Sequence, residues 1–197
     1  NTTVANTNFI IQTQAIFLAI FGYIFLNEKI SKVTLTSIIL AISGIILMVG
    51  NSLSPGELSG NIVAFVMPSS FAVLIIIVRK YPKVDMVPLQ LFAGLIAMLI
   101  GFFVSTKINI SANDLLLAFL AGFFQIGFGF IFITIGAKKT LSAMVGILMM
   151  TEAVLGPLWA WFFLNEKPQF IVLIGGSIII FAVFIQFYSL LQKEKKT

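Results

Sequence analysis

The sequence contains no cysteine and no histidine, and only 10% of its 197 residues are charged. Lack of cysteine removes disulfides, thiolate nucleophiles and iron–sulfur ligation. Lack of histidine removes the commonest metal ligand and the usual base at neutral pH. No metal or other cofactor is therefore expected. The shortage of charge excludes more. A soluble domain carries about a quarter charged residues, whereas this chain is 59% hydrophobic with a mean hydropathy of +1.11. Its solvent must be lipid. No phosphate-cradling loop of the Walker type occurs, which argues against a nucleotide-driven pump.

What is present is a series of apolar runs, each near the roughly twenty residues that cross a bilayer. Polar breaks such as Ser54-Pro55-Gly56, Tyr81-Pro82-Lys83 and Lys167-Pro168 divide the chain into seven spans. The spans are expected near 4–26, 33–50, 58–78, 86–105, 114–136, 141–164 and 169–191. The fold class is thus all-α, a polytopic membrane protein.

The net charge of +5 is unevenly placed. Lys107 and Lys167 are the only cations in the breaks after spans two, four and six. The other breaks and the C-terminus hold ten: Lys29, Lys32, Arg79, Lys80, Lys83, Lys138, Lys139, Lys193, Lys195 and Lys196. Cationic loops stay on the cytoplasmic side, so the chain is expected to begin outside and end inside. Basicity here encodes topology, and no nucleic-acid partner is expected.

The stretch Phe25-Leu26-Asn27-Glu28-Lys29 returns as Phe163-Leu164-Asn165-Glu166-Lys167, 138 residues later. From Thr13 to Lys29, seven of seventeen positions are identical to those from Thr151 to Lys167. Small residues also fall in register, Ser37 with Gly175 and Gly44 with Ala182. The alternating topology puts the two copies on opposite faces of the membrane, as a duplicated unit with an odd number of helices requires. Inverted repeats are a recurring transporter architecture. Five spans separate the copies, so residues 58–191 form a complete second unit and residues 1–50 the last two helices of the first. A linker at 51–57 and a basic tail at 192–197 complete the division. The intact protein is then expected to have ten helices, the first unit starting about eighty residues before Asn1.

The chain resembles the EamA-type branch of the drug/metabolite transporter superfamily, as the C-terminal two-thirds of such a protein. The resemblance rests on Thr3-Val4-Ala5-Asn6, both FLNEK exits, Thr151-Glu152-Ala153 with Pro157, and the Ser37 to Gly44 spacing. It implies ten helices in two inverted repeats and movement of metabolites, often outward. Such proteins commonly have Glu-Pro where this chain has Glu152-Ala153, and proline near its Gln14-Ala15.

Glu152 is the sharpest functional candidate, because it is the only acidic residue in the middle of a span. A carboxylate at that depth must face a cavity, find a partner or be protonated. It is read as a proton-coupling site or as an anchor for a cationic substrate group, against a packing role for a protonated glutamate. Its counterpart is Gln14, similar in shape and uncharged. Helical spacing puts Trp159 on the Glu152 face. In span one, Asn6 and Gln14 share a face, and Asn8 and Gln12 another, so each suits either a cavity wall or helix packing. Gln125 lies among Gly122, Gly127 and Gly129, where packing and a flexible wall compete. Pro68-Ser69-Ser70 predicts a kink whose freed carbonyl a serine or a ligand engages. Glu28 and Glu166 are read as interfacial caps or gate contacts.

The expected function is a secondary transporter, an exporter of a small metabolite or amphipathic compound, in a bacterial inner membrane. Its expected partners are that substrate, membrane lipid and a coupling proton, and a homo-oligomer is compatible with the sequence. The alternative is a seven-helix receptor or sensor. A retinal protein needs a lysine in its last helix, and residues 171–191 have none. An enzyme is not expected, since Asp85 and Asp114 sit at opposite margins and form no intramembrane pair.

Overall fold

The computed structural model describes residues 4–50, 58–105, 110–165 and 167–194, except for the side chains of 4–6, 8, 49, 58, 61, 164, 193 and 194. The expected linker 51–57, Lys107, Glu166 and residues 195–197 lie outside the described residues. Among those described, no strand occurs. Eleven α-helices and one π-helical segment follow in order. They are α1 (Val4–Gln12), α2 (Gln14–Leu26), α3 (Lys32–Val49), α4 (Leu58–Ala64), α5 (Val66–Lys80) and α6 (Val87–Val104). Then come α7 (Ala112–Leu120), the π segment (Ala121–Phe128), α8 (Gly129–Ala137), α9 (Ser142–Met149), α10 (Thr151–Leu164) and α11 (Phe170–Glu194).

These elements fall into the seven expected spans. Six are apolar over 18 residues or more, and the seventh is the shorter apolar helix Lys32–Met48. Their outward faces are strongly apolar, with Phe103 80% and Phe162 76% exposed, as lipid contact requires. Sequence placed most ends within a residue or two. The last helix differs, running to Glu194, three residues past Leu191.

Three spans are interrupted, at Thr13, Phe65 and Met150, and of these only the break near Pro68 was expected. At Phe65 the cause is Pro68, which cannot donate to the carbonyl four residues earlier. The Phe65 amide turns to the Ile62 carbonyl at 3.2 Å. The Ser69 hydroxyl donates to the Phe65 and Val66 carbonyls at 2.8 and 3.0 Å. The expected kink is present, and Ser69 is the group that engages the backbone there.

Helix ends carry local signals. Ser31 begins α3 by accepting from the Thr34 amide at 3.1 Å. Ser111 begins α7, accepting from the Asp114 amide at 3.1 Å and donating to its carboxylate at 2.7 Å. Such caps satisfy amides that the helix leaves without partners.

The chain divides into two compact units, residues 1–77 with 140–197, and residues 78–139. The first unit is organised by two antiparallel helix pairs, α3 with α11 and α2 with α9. In the first pair the backbones nearly touch. A Cβ on Gly44 would lie 2.6 Å from the Gly175 carbonyl oxygen, and one on Gly175 would strike the Gly44 carbonyl. Ser37, Ala41, Ile179 and Ala182 are fully buried along the same line. In the second pair, Gly146 admits the Ala15 backbone, whose Cα would lie 2.6 Å from an added Cβ. One core cluster joins both pairs: Ala15, Ala41, Ile45, Met150, Val154, Ile179 and Ala182.

In the second unit, Gln90 of α6 donates to the Phe130 carbonyl at 3.0 Å and to the buried Thr134 hydroxyl. Arg79 donates to the Ala137 carbonyl at 3.1 Å, putting a cation at the C-terminal end of α8, where the helix dipole favours it. Ala93, Ala97 and Gly101 form a small-residue face of α6. The structure leaves all three exposed, and nothing approaches a Cβ placed on Gly101.

Gly44→Ala should force α3 and α11 apart, because the obstacle is backbone. The expected loss is about 1–3 kcal/mol, read as a lower thermal midpoint in detergent. Gly94→Ala, with open space around it, should leave the midpoint unchanged.

Candidate functional site

Span one and span six break at closely corresponding positions in the repeat. Thr13 separates α1 from α2, and Met150 separates α9 from α10. The chain tightens at both points: the Thr13 amide bonds the Ile10 carbonyl at 3.0 Å, and the Met150 amide is shared between the Gly146 and Ile147 carbonyls, each at 3.2 Å. The bonds to Ile10 and Ile147 are of the 3₁₀ kind, which interrupt a regular α-helix. The Thr13 hydroxyl then donates to the Ile10 carbonyl at 2.6 Å, and the Thr151 hydroxyl to the Leu148 carbonyl at 2.7 Å. Both donors and both acceptors are 138 residues apart. Back-bonding of this kind weakens the helical ladder locally.

The same correspondence governs the exits. Asn27 and Asn165 are the only non-glycine residues with positive φ among those described, at 53° and 55°. Asparagine tolerates this left-handed conformation where most side chains do not. The Asn27 amide bonds the Gly22 carbonyl, and the Asn165 amide the Ala160 carbonyl. The Glu28 amide bonds the same Gly22 carbonyl at 3.0 Å. The polar part of FLNEK is therefore a backbone device.

Around the first break, Gln12 and Gln14 are buried, 8% and 4% exposed. The Gln12 Oε1 and Gln14 Nε2 have no hydrogen-bond partner among the described residues. In an apolar setting each such atom costs about 1–3 kcal/mol, which makes both glutamines candidates for contact with water or a ligand. Glu152, the counterpart of Gln14, is instead exposed on α10, and Gly156 and Trp159 of its face are exposed too. Trp159 stacks on Phe163 at 5.6 Å. Beside it, Leu155, Leu158, Trp159, Trp161, Phe162 and Asn165 line a groove of about 660 Å³. Glu152 thus sits one to two turns from an aromatic groove on an open helix face.

The remaining candidates are placed elsewhere. Asn6 and Asn8 lie on α1, with side chains outside the described residues. The Ser69 hydroxyl is committed to backbone carbonyls, and Ser70 is exposed on α5. Gln125 is exposed in the π segment of the second unit. Among the described residues nothing approaches a Cβ on Gly122 or Gly129, whereas one on Gly127 would lie 3.3 Å from the Gly122 carbonyl oxygen. The glycines accompany a π-helix, a rare form often found at functional sites.

Two features escaped sequence reasoning. Gln186 of α11 is 4% exposed, with its Oε1 unpartnered among the described residues. Its polarity within a span was the available signal. The other is the partner of Glu28, itself expected as an interfacial cap or gate contact: its half-buried carboxylate accepts from the Ser142 amide at 2.9 Å and so caps α9. No pattern in the sequence pairs residues 114 apart.

A profile of the EamA-like transporter family matches residues 54–188. The chain belongs to that family. It is a transporter family rather than an enzyme family, so this is an integral membrane transporter protein with a small-molecule substrate class. A solved structure titled "Crystal structure of protein" superposes with a TM-score of 0.82 at 15% identity, covering 100% of this chain and 70% of the other. At that identity the likeness concerns the fold. No curated protein matches this EamA chain.

Gln14→Leu removes a buried donor that has no partner among the described residues. If Gln14 serves a ligand, the variant should be as stable as the parent or more so, by about 1 kcal/mol, and should transport poorly. A thermal melt beside an efflux assay separates this from packing, for which stability and transport would fall together.

Proposed function

We propose that this EamA chain works as a secondary exporter of a small amphipathic compound, by alternating access between two inverted five-helix units. Residues 1–50 supply the last two helices of the first unit, 51–57 a linker outside the membrane, 58–191 the second unit, and 192–197 a basic cytoplasmic tail. The observation that carries this reading is the paired geometry at positions 138 apart. Left-handed asparagines end both copies, and back-bonded threonines mark both breaks. The family match over 54–188 supports the boundary of the second unit.

The cationic breaks support a bacterial inner membrane orientation, with the start of the chain outside and its end inside. Inverted units place the substrate near midplane between them, and the helix breaks lie at that depth. Glu152 is the coupling group in this reading. Its carboxylate on an open face is accessible to a proton or to a cationic substrate group, and the aromatic groove beside it accommodates an apolar moiety. Gln12, Gln14, Gln125, Ser70 and the Asn6 and Asn8 positions contribute polar lining. The Ser69 hydroxyl acts on the backbone rather than on the substrate.

Efflux screening over amino acids, nucleosides and amines identifies the cargo. Glu152→Gln should then retain binding but lose the dependence of efflux on an imposed proton gradient, with a fall of at least about tenfold in gradient-driven rate. Unchanged efflux from acidic to mildly alkaline pH would refute coupling at Glu152.

A further inference from the structure

We propose that Glu28 is a releasable latch, holding helix α9 against the exit of α2 when the Lys29 side of the first unit is closed; this rests on the alternating-access reading above. Three observations converge. The Asn27 turn directs Glu28 back towards the bundle, where its Oε2 accepts from the Ser142 amide at 2.9 Å. That amide belongs to the first turn of α9, where helix geometry leaves N–H groups unpaired and the dipole favours an anion. A charged acceptor on such an amide makes one strong bond that breaks without unwinding either helix.

Gly22 makes room for the contact. A Cβ there would lie 2.7 Å from Glu28 Oε2 and 3.0 Å from Ser142 Cβ. The carboxylate is therefore fitted into the closest approach of α2 and α9, in contact with both.

The surroundings suit an end that opens. Beside the latch, Glu28, Lys29, Thr34, Met144 and Gln186 border a space of about 10 Å³, room for no more than one water. Gln186 Oε1 and Ser142 Oγ are buried nearby with no partner among the described residues. A permanently closed interface would leave these polar atoms unsolvated. Opening hydrates them, so their hydration offsets part of the loss of the Glu28 bond. Glu28 is a positioning residue, acting through α9 and not on the substrate.

The absence of native cysteine allows a direct test in the full chain in lipid nanodiscs. A single thiol is introduced either at Met144, beside the latch, or at Leu158, in the aromatic groove, and its rate of maleimide labelling is measured. Glu28→Ala should raise the Met144→Cys rate at least about tenfold, as loss of a charged hydrogen bond implies, and lower the Leu158→Cys rate. Gly22→Ala, which displaces the carboxylate without removing it, should reproduce both changes. Glu28→Gln, which keeps an acceptor, should fall between. Unchanged Met144→Cys labelling in both Glu28→Ala and Gly22→Ala overturns the latch. Faster labelling at both sites also overturns it, since that reports general loosening of the helix pair. Failure of the transport reading shows separately, as absence of efflux from the unsubstituted chain in the cargo screen.

Discussion

The first unit depends on one close contact, the crossing of α3 and α11 at Gly44 and Gly175. Between lipid-facing helices there is no hydrophobic gain from association, so attraction must come from close packing and polar contacts. Two glycines without side chains let the backbones meet, and the buried line of Ser37, Ala41, Ile179 and Ala182 extends the seam. Gly175 is the counterpart of Ser37, and Ala182 of Gly44. The contact therefore brings one end of the seam in the first copy against the opposite end in the second. Around it the remaining helices find their positions, with α2 and α9 packed through Ala15 and Gly146.

On that scaffold the two interrupted spans are placed symmetrically, but their chemistry differs. Gln14 is buried and neutral, whereas Glu152 is exposed and acidic. Thr13 and Thr151 perform the same backbone task. The backbone bonding is the same at the two breaks, and the side chain that follows each threonine differs in charge and in burial.

Much of this was legible beforehand. Apolar runs and breaks located the seven spans because lipid enforces length and polarity together. The small residues at 37, 44, 175 and 182 were legible as matching positions of the repeat, whereas the seam they form is a finding of the structure. Pro68 announced an interruption because its missing amide must act. What could not be read was longer in range. The Glu28 contact with Ser142 depends on a helix pairing that no local pattern encodes. The burial of Gln14 and exposure of Glu152 depend on which face of each helix meets a neighbour, and apolar residues all round the span conceal that choice. For the same reason the sequence left packing and a flexible wall open at Gly122, where nothing approaches an added Cβ.

The asparagine turns at the two exits bear on how such motifs should be used. A left-handed residue followed by a carboxylate fixes the direction in which the chain leaves its helix. Proteins that share FLNEK therefore share a bend in the polypeptide, and no statement about cargo follows from it. Cargo is better sought where the duplicated copies disagree, and position 14 against position 152 is the clearest such disagreement in this chain.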